Sequence, residues 1–182
     1  MTKIAVLVGS LREQSYNKRL AKALEKLAPD DVEFDYVDLN LPLYNQDFDG
    51  NYPTEAVKLK RQVEAADGIL FVTPEYNRGI PGVLKNAIDL GSRPWGTNSF
   101  AGKPVGVVGA SSGSVGTAVA QSNLHHIAGF LGAKLMGQPE LYLANSADKF
   151  NDDGSLVDDS KVRAQRYITA FTTWVNREKI VD

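Results

Sequence analysis

The 182-residue chain contains no cysteine. Disulfides, thiolate catalysis and cysteine-ligated metals are therefore excluded, and the composition fits a reducing compartment. Histidine is almost as scarce: His125 and His126 are the whole supply. Being adjacent, they cannot share a helix face, whereas a metal pair on a helix wants a spacing of four. Surface or interface positions are expected for both. No apolar run is long enough to cross a bilayer. The first apolar run is short and flows into Gly9-Ser10 rather than a cleavage site, so no signal peptide is expected. Charge of one sign is lacking too. The net charge is −2 and the pI about 5.7, which leaves no footprint for nucleic acid or an anionic membrane. A cytoplasmic protein with neither kind of partner is the expectation. With no repeat, linker or low-complexity tract, the length suits one domain over residues 1–182.

What is present alternates. Ile4 to Val8 and Ile69 to Val72 are apolar at every position, as in strands buried on both faces of a parallel sheet. Val105 to Ala110 reads the same way despite two glycines. Val32, Phe34 and Tyr36 alternate with acids, which predicts a more exposed strand near a sheet edge. Ala133 to Met136 and Leu141 to Leu143 read as a last strand interrupted by Gly137 and Pro139. Helical spacing falls between these segments. The first helix runs from about Ser15 to Pro29, the second carries Ala56, Leu59, Val63 and Ala66 and is closed by Gly68, and the third follows Pro81. The fourth carries Val119, Ile127, Phe130 and Leu131, and a closing helix carries Ala164, Tyr167, Ile168, Phe171, Trp174 and Val175. Five strands alternating with five helices predict a doubly wound α/β fold. Its five-stranded parallel sheet, in order 2-1-3-4-5, would have helices on both faces.

In such a sheet a ligand sits beyond the carboxyl ends of the strands, at the switch between strands 1 and 3. Three polar loops fall at those ends. Gly9-Ser10-Leu11-Arg12 with Ser15 and Asn17 lies between a strand and a helix start, where free amides and the helix dipole favour an anion. Its hydroxyls, amide and guanidinium suit a phosphate, and Ser15 also suits a helix N-cap. Pro74-Glu75-Tyr76-Asn77-Arg78-Gly79 is held by prolines and glycines, either to present amides to the polar edge of a planar ring or simply as a connection. Ser111-Ser112-Gly113 is the third.

Competing motifs fail on chemistry. Gly109-Ala110-Ser111-Ser112-Gly113 fits the G-x-S-x-G nucleophile elbow, but no histidine follows His125 and His126 to complete a Ser, Asp, His order. Asn151-Asp152-Asp153-Gly154 would make a calcium loop begin at Lys149 and end at Ser160. Neither G-x-G-x-x-G nor the P-loop pattern follows the first strand. Trp95 suits a pocket wall, a subunit contact or ordinary packing. With no thiol, triad or metal cluster, difficult chemistry would reside in a cofactor, and a phosphate cradle at this switch point suits a mononucleotide such as FMN.

The three loops together resemble the NAD(P)H-dependent FMN reductases, a flavodoxin-like group that includes bacterial chromate, quinone and azo-dye reductases. The likeness rests on the first loop, on Pro74-Glu75-Tyr76-Asn77 with Ile80-Pro81-Gly82 and Lys85-Asn86-Ala87-Ile88-Asp89, and on Gly102-Lys103-Pro104-Val105 with Ser111-Ser112-Gly113. It covers nearly the whole chain. Leu90 departs from it, since several members carry an aromatic there. The resemblance implies non-covalent FMN, with its phosphate on Gly9, Ser10, Leu11, Arg12, Ser15 and Asn17. The ring would lie on Pro74, Glu75, Tyr76, Asn77 and Arg78, with Ser111, Ser112 and Gly113 near its other side. It further implies NADPH or NADH as donor and small-molecule acceptors: quinones, azo compounds, free flavin or metal oxyanions such as chromate. It also implies a homodimer or homotetramer. Arg78 could meet the extra phosphate of NADPH or remain a solvated charge. A flavodoxin-like electron carrier without its own substrate is the alternative, although such carriers tend to be strongly acidic around the flavin.

Overall fold

A computed structural model describes residues 1–179. Its centre is a parallel sheet of β1 (Thr2–Val8), β2 (Val32–Tyr36), β3 (Gly68–Val72), β4 (Pro104–Ala110), β5 (Lys134–Leu135) and β6 (Leu141–Leu143). The path is β2-β1-β3-β4-β5, with β6 also on β4. Five helices connect them: α1 (Tyr16–Leu27), α2 (Thr54–Ala65), α3 (Gly82–Gly91), α4 (Ala118–Phe130) and α5 (Asp158–Glu178).

The alternation of side chains along each strand divides the core in two. Ile4, Val6 and Val8 of β1, with Leu70, Val72 and Val108, meet Leu20 and Leu24 of α1 and Ile168 and Phe171 of α5. Ala5 and Leu7, with Ile69, Phe71, Val105 and Val107, meet Leu59 and Val63 of α2, Leu84 and Ile88 of α3, and Leu124 of α4. Both faces of β1, β3 and β4 are covered, which is why those strands carry no polar side chain beyond their ends.

Three details differ from the sequence-based expectation. The last strand is two strands: Lys134 pairs with Pro104 at the start of β4, and Leu141 pairs with Val108 near its end. Gly137 and Pro139 break the run, but both pieces find the same neighbour, so the sheet has six strands. Gly68 does not close α2. It opens β3, and a Cβ there would come within 2.5 Å of Val175, so its role is to let α5 lie close to the sheet. Phe130 is 75 % exposed although it keeps helical spacing. The core side of α4 is formed instead by Ala120, Gln121, Leu124 and Ala128.

Candidate functional site

Each of the three polar loops leaves the carboxyl end of a neighbouring strand: β1, β3 and β4. They meet around a cavity of about 140 Å³. The first loop gives it Ser10, Arg12, Ser15, Tyr16 and Asn17, the second Pro74, Glu75 and Tyr76, and the third Ala110, Ser111 and Ser112. Gly9, Leu11, Asn77, Arg78 and Gly113 stand around this cavity rather than in its wall. The sequence alone does not single out Tyr16 or Ala110: Tyr16 opens α1 and Ala110 ends β4, each just beyond the polar residues of its loop. Tyr16 does pack inward, stacked on Phe150 at 6.3 Å, but its neighbour Ser15 brings it to the rim as well.

The first loop gathers hydrogen-bond donors at the start of α1. Ser15 is the N-cap of α1, its Oγ accepting from the amides of Asn17 at 3.2 Å and Lys18 at 3.4 Å. Its hydroxyl proton remains available. Among the described residues, none accepts a hydrogen bond from the amides of Leu11, Arg12, Glu13 or Gln14. Free donors at a helix start, a guanidinium and two hydroxyls match a phosphate in both charge and hydrogen-bonding sense. Asn17 is different. Its side chain is 2 % exposed, donates Nδ2–H to Ala110 O and accepts from Ala110 N, both at 2.9 Å. The side chain thus extends the β4 ladder and ties the first loop to the third.

The second loop is a tight hairpin. Tyr76 and Gly79 exchange both backbone hydrogen bonds at 3.0 Å. Asn77 and Arg78 between them are left-handed, with φ of 51° and 61°, as a type I′ turn requires. This turn stiffens the loop beyond what its prolines and glycines do, and a left-handed arginine is uncommon enough to mark a constrained segment. Tyr76 and Gly79 use their amides on each other. Among the described residues nothing accepts from the amides of Glu75, Asn77 or Arg78.

The third loop is anchored from behind. Ser111 N donates to Leu143 O, and the fully buried Ser146 donates its hydroxyl to Ser111 O at 2.9 Å. Ser111 Oγ accepts from Gly113 N at 3.1 Å, and no histidine contacts it among the described residues. The elbow therefore lacks a base here as it did in sequence. Gly109 sits where a Cβ would collide with Thr117 and the Thr73 carbonyl, so β4 can close against the neighbouring strand end only without a side chain.

Trp95 lies elsewhere. The segment from Ser92 to Lys103 joins the end of α3 to the start of β4, so it enters the sheet at the amino end of a strand, whereas the three loops leave at carboxyl ends. Trp95 there is 79 % exposed, with the Arg93 guanidinium over its ring at 5.4 Å. Together with Phe130 it lines a second, more apolar groove of about 420 Å³. His126 is exposed and His125 half-buried on α4. Burial pushes the His125 imidazole below its ordinary value, and Glu140 partly opposes the shift. No cluster of metal-ligating side chains occurs among the described residues.

A parallel 2-1-3-4-5 sheet with an anion cradle at its switch point is a flavodoxin-like mononucleotide fold. The chain belongs to the NADPH-dependent FMN reductase family, whose model matches residues 2–148. It is 47% identical over 180 residues to a 2-hydroxy-1,4-benzoquinone reductase from Burkholderia sp, covering 98% of each chain. A quinone reductase of Pseudomonas putida is 43% identical over 98% of this chain and 97% of its own. Among solved structures, FerB from Paracoccus denitrificans, a flavoenzyme NAD(P)H:(acceptor) oxidoreductase, superposes with a TM-score of 0.93. It is 40% identical over 99% of this chain and 100% of its own. An azoreductase from Bacillus anthracis shares the fold, with a TM-score of 0.64 at 18% identity over 97% and 100% of the two chains.

Proposed function

We propose that the protein is an NAD(P)H-dependent FMN oxidoreductase that reduces small acceptors, quinones first among them. The observation that carries this reading is the convergence of three loops on one cavity lined by Arg12, Ser10 and Ser15 at the switch point, in a chain of this family. The donor set fits FMN: the cavity suits the phosphate end, and the open hairpin beside it suits the ring. FMN, when bound, supplies the exchange of electrons between nicotinamide and acceptor.

The chain's own residues would bind, orient and stabilise. Arg12, Ser10, Ser15 and the free amides of the first loop hold the phosphate, with Gly9, Leu11 and Asn17 shaping the turn. The N-terminal dipole of α1 adds about 0.3–1 kcal/mol to that attraction. The unshared amides of Glu75 and Asn77 would serve the polar edge of the ring, stabilising negative charge there. Donors fixed in advance are worth about 3 kcal/mol each at such a position. Tyr76, 54 % exposed, borders the open side through which nicotinamide and acceptor would enter in turn. Ser111, Ser112 and Gly113 close the other side. No side chain need act as a general base.

Quinones are favoured as acceptors because three relatives above 40% identity are named as quinone reductases. Azo compounds, free flavin and metal oxyanions share the same requirement for an open face. The exposed Trp95 and Phe130 support a homodimer or homotetramer. No helix among the described residues is long and apolar enough to cross a membrane. Initial rates with NAD(P)H and a benzoquinone test the reading. A shared face gives parallel double-reciprocal lines, whereas intersecting lines would contradict it. Steady NAD(P)H oxidation by the purified protein with a quinone present and no other protein separates an enzyme from an electron carrier.

A further inference from the structure

Helix α4 begins without a cap of its own. Its N-cap residue, Thr117, is left-handed at φ 74° and makes no side-chain cap bond to the helix amides. The Thr117 hydroxyl instead accepts from Gln121 Nε2 at 3.0 Å, and the residue is fully buried. The missing acceptor comes from the second loop, more than forty residues earlier. Glu75 Oε2 takes the amide of Val119 at 3.0 Å and that of Ala120 at 3.1 Å. Its other oxygen, Oε1, meets Arg78 Nη1 at 3.1 Å, and the side chain is only 8 % exposed.

We propose that Glu75 is a positioning residue whose carboxylate clamps the ring-binding hairpin onto the N-terminus of α4. The inference rests on the FMN reading and adds to it a division of labour within one residue. The carboxylate faces α4 and Arg78, so Glu75 offers the ring its backbone N–H alone. A carboxylate at a helix start is held by two charge-assisted bonds and by the dipole. Arg78 engages the opposite oxygen from the tip of the same turn. The hairpin is therefore fixed at its base by α4 and across its width by its own arginine. The unshared amides of Glu75 and Asn77 keep one direction as a result. α4 in turn leaves the third loop, so the clamp makes the second and third loops one unit, as Asn17 does for the first and third.

The shape of the clamp sets its tests. Glu75→Gln keeps the length and one carbonyl oxygen able to accept from both amides. Glu75→Asp keeps the charge but is one methylene short. Glu75→Ala removes both. The full chain as purified is examined by amide hydrogen exchange and by FMN titration after removal of bound flavin. Glu75→Ala and Glu75→Asp are expected to exchange at Val119 and Ala120 at least about tenfold faster than wild type and to bind FMN at least about tenfold more weakly. Glu75→Gln is expected to fall between wild type and Glu75→Asp in both, because it keeps the reach to Val119 and Ala120 but gives up the charge and turns an NH2 toward Arg78. If Glu75→Ala does not fold, the comparison of Gln with Asp decides alone. Wild-type exchange and FMN affinity in Glu75→Asp, or a Gln variant as impaired as Asp, would overturn the clamp. Should wild type itself take up no FMN, the FMN reading fails, while exchange at Val119 and Ala120 still judges the clamp.

Discussion

Replacing Asn17 by leucine should destabilise the protein far more than an amide-to-apolar change of similar size at a helix start normally does. The side chain is 2 % exposed and satisfies both the N–H and the C=O of Ala110, each at 2.9 Å. Leucine fills the space but leaves both backbone groups buried without a partner. An unsatisfied buried group costs about 1–3 kcal/mol. Two of them, partly relieved by local movement, give about 3 kcal/mol. That is a large share of the roughly 5–15 kcal/mol that holds a domain folded. Asn17→Asp should be comparably harmful at neutral pH, because it keeps an acceptor for Ala110 N–H but sets its second oxygen against Ala110 C=O. Urea denaturation of each variant, with matched slopes, reads the difference. A loss below about 1 kcal/mol in Asn17→Leu would refute the reasoning, since it would mean that Ala110 does not depend on this side chain.

Arg12 acts on the ligand rather than the fold. Arg12→Ala should weaken FMN binding about tenfold to a hundredfold, the worth of one charge-assisted bond, with the unfolding midpoint of the flavin-free chain little changed. Equal affinity in titration would remove Arg12 from the phosphate site. Stability should also respond to His125, whose imidazole is held below its ordinary value by burial. A base lowered on folding binds protons more readily when unfolded. Stability is thus retained above about pH 6.5 and falls as the solution is acidified through the window down to the folded value. His125→Asn should flatten that part of the stability profile, and an unchanged profile would contradict the assignment.

How far the sequence reaches depends on whether the deciding contact is local. β1, β3 and β4 are legible because burial on both faces leaves only apolar residues, and the switch point follows from their order. Ser15 is legible as a cap because it bonds amides two and three residues away. Asn17 reads as a phosphate donor for the same local reason, yet its amide is engaged 93 positions later by Ala110. Glu75 reads as part of a ring loop, and nothing near it in sequence points to Val119, 44 residues on. Gly68 looks like a helix stop until α5 is packed against it. The divided last strand depends on β4 offering an edge to both pieces. Phe130 keeps helical spacing while facing outward, which periodicity alone cannot distinguish from burial. In each case the ambiguity is resolved by a partner brought close only when the sheet is assembled.

The central claim is that FMN is held where the three loops meet. The visible spectrum of the purified protein, followed by release and identification of the bound compound, tests it most directly. Flavin absorption bands, with FMN recovered at one per chain, are the expected result. A colourless protein that takes up no FMN when offered an excess would contradict it.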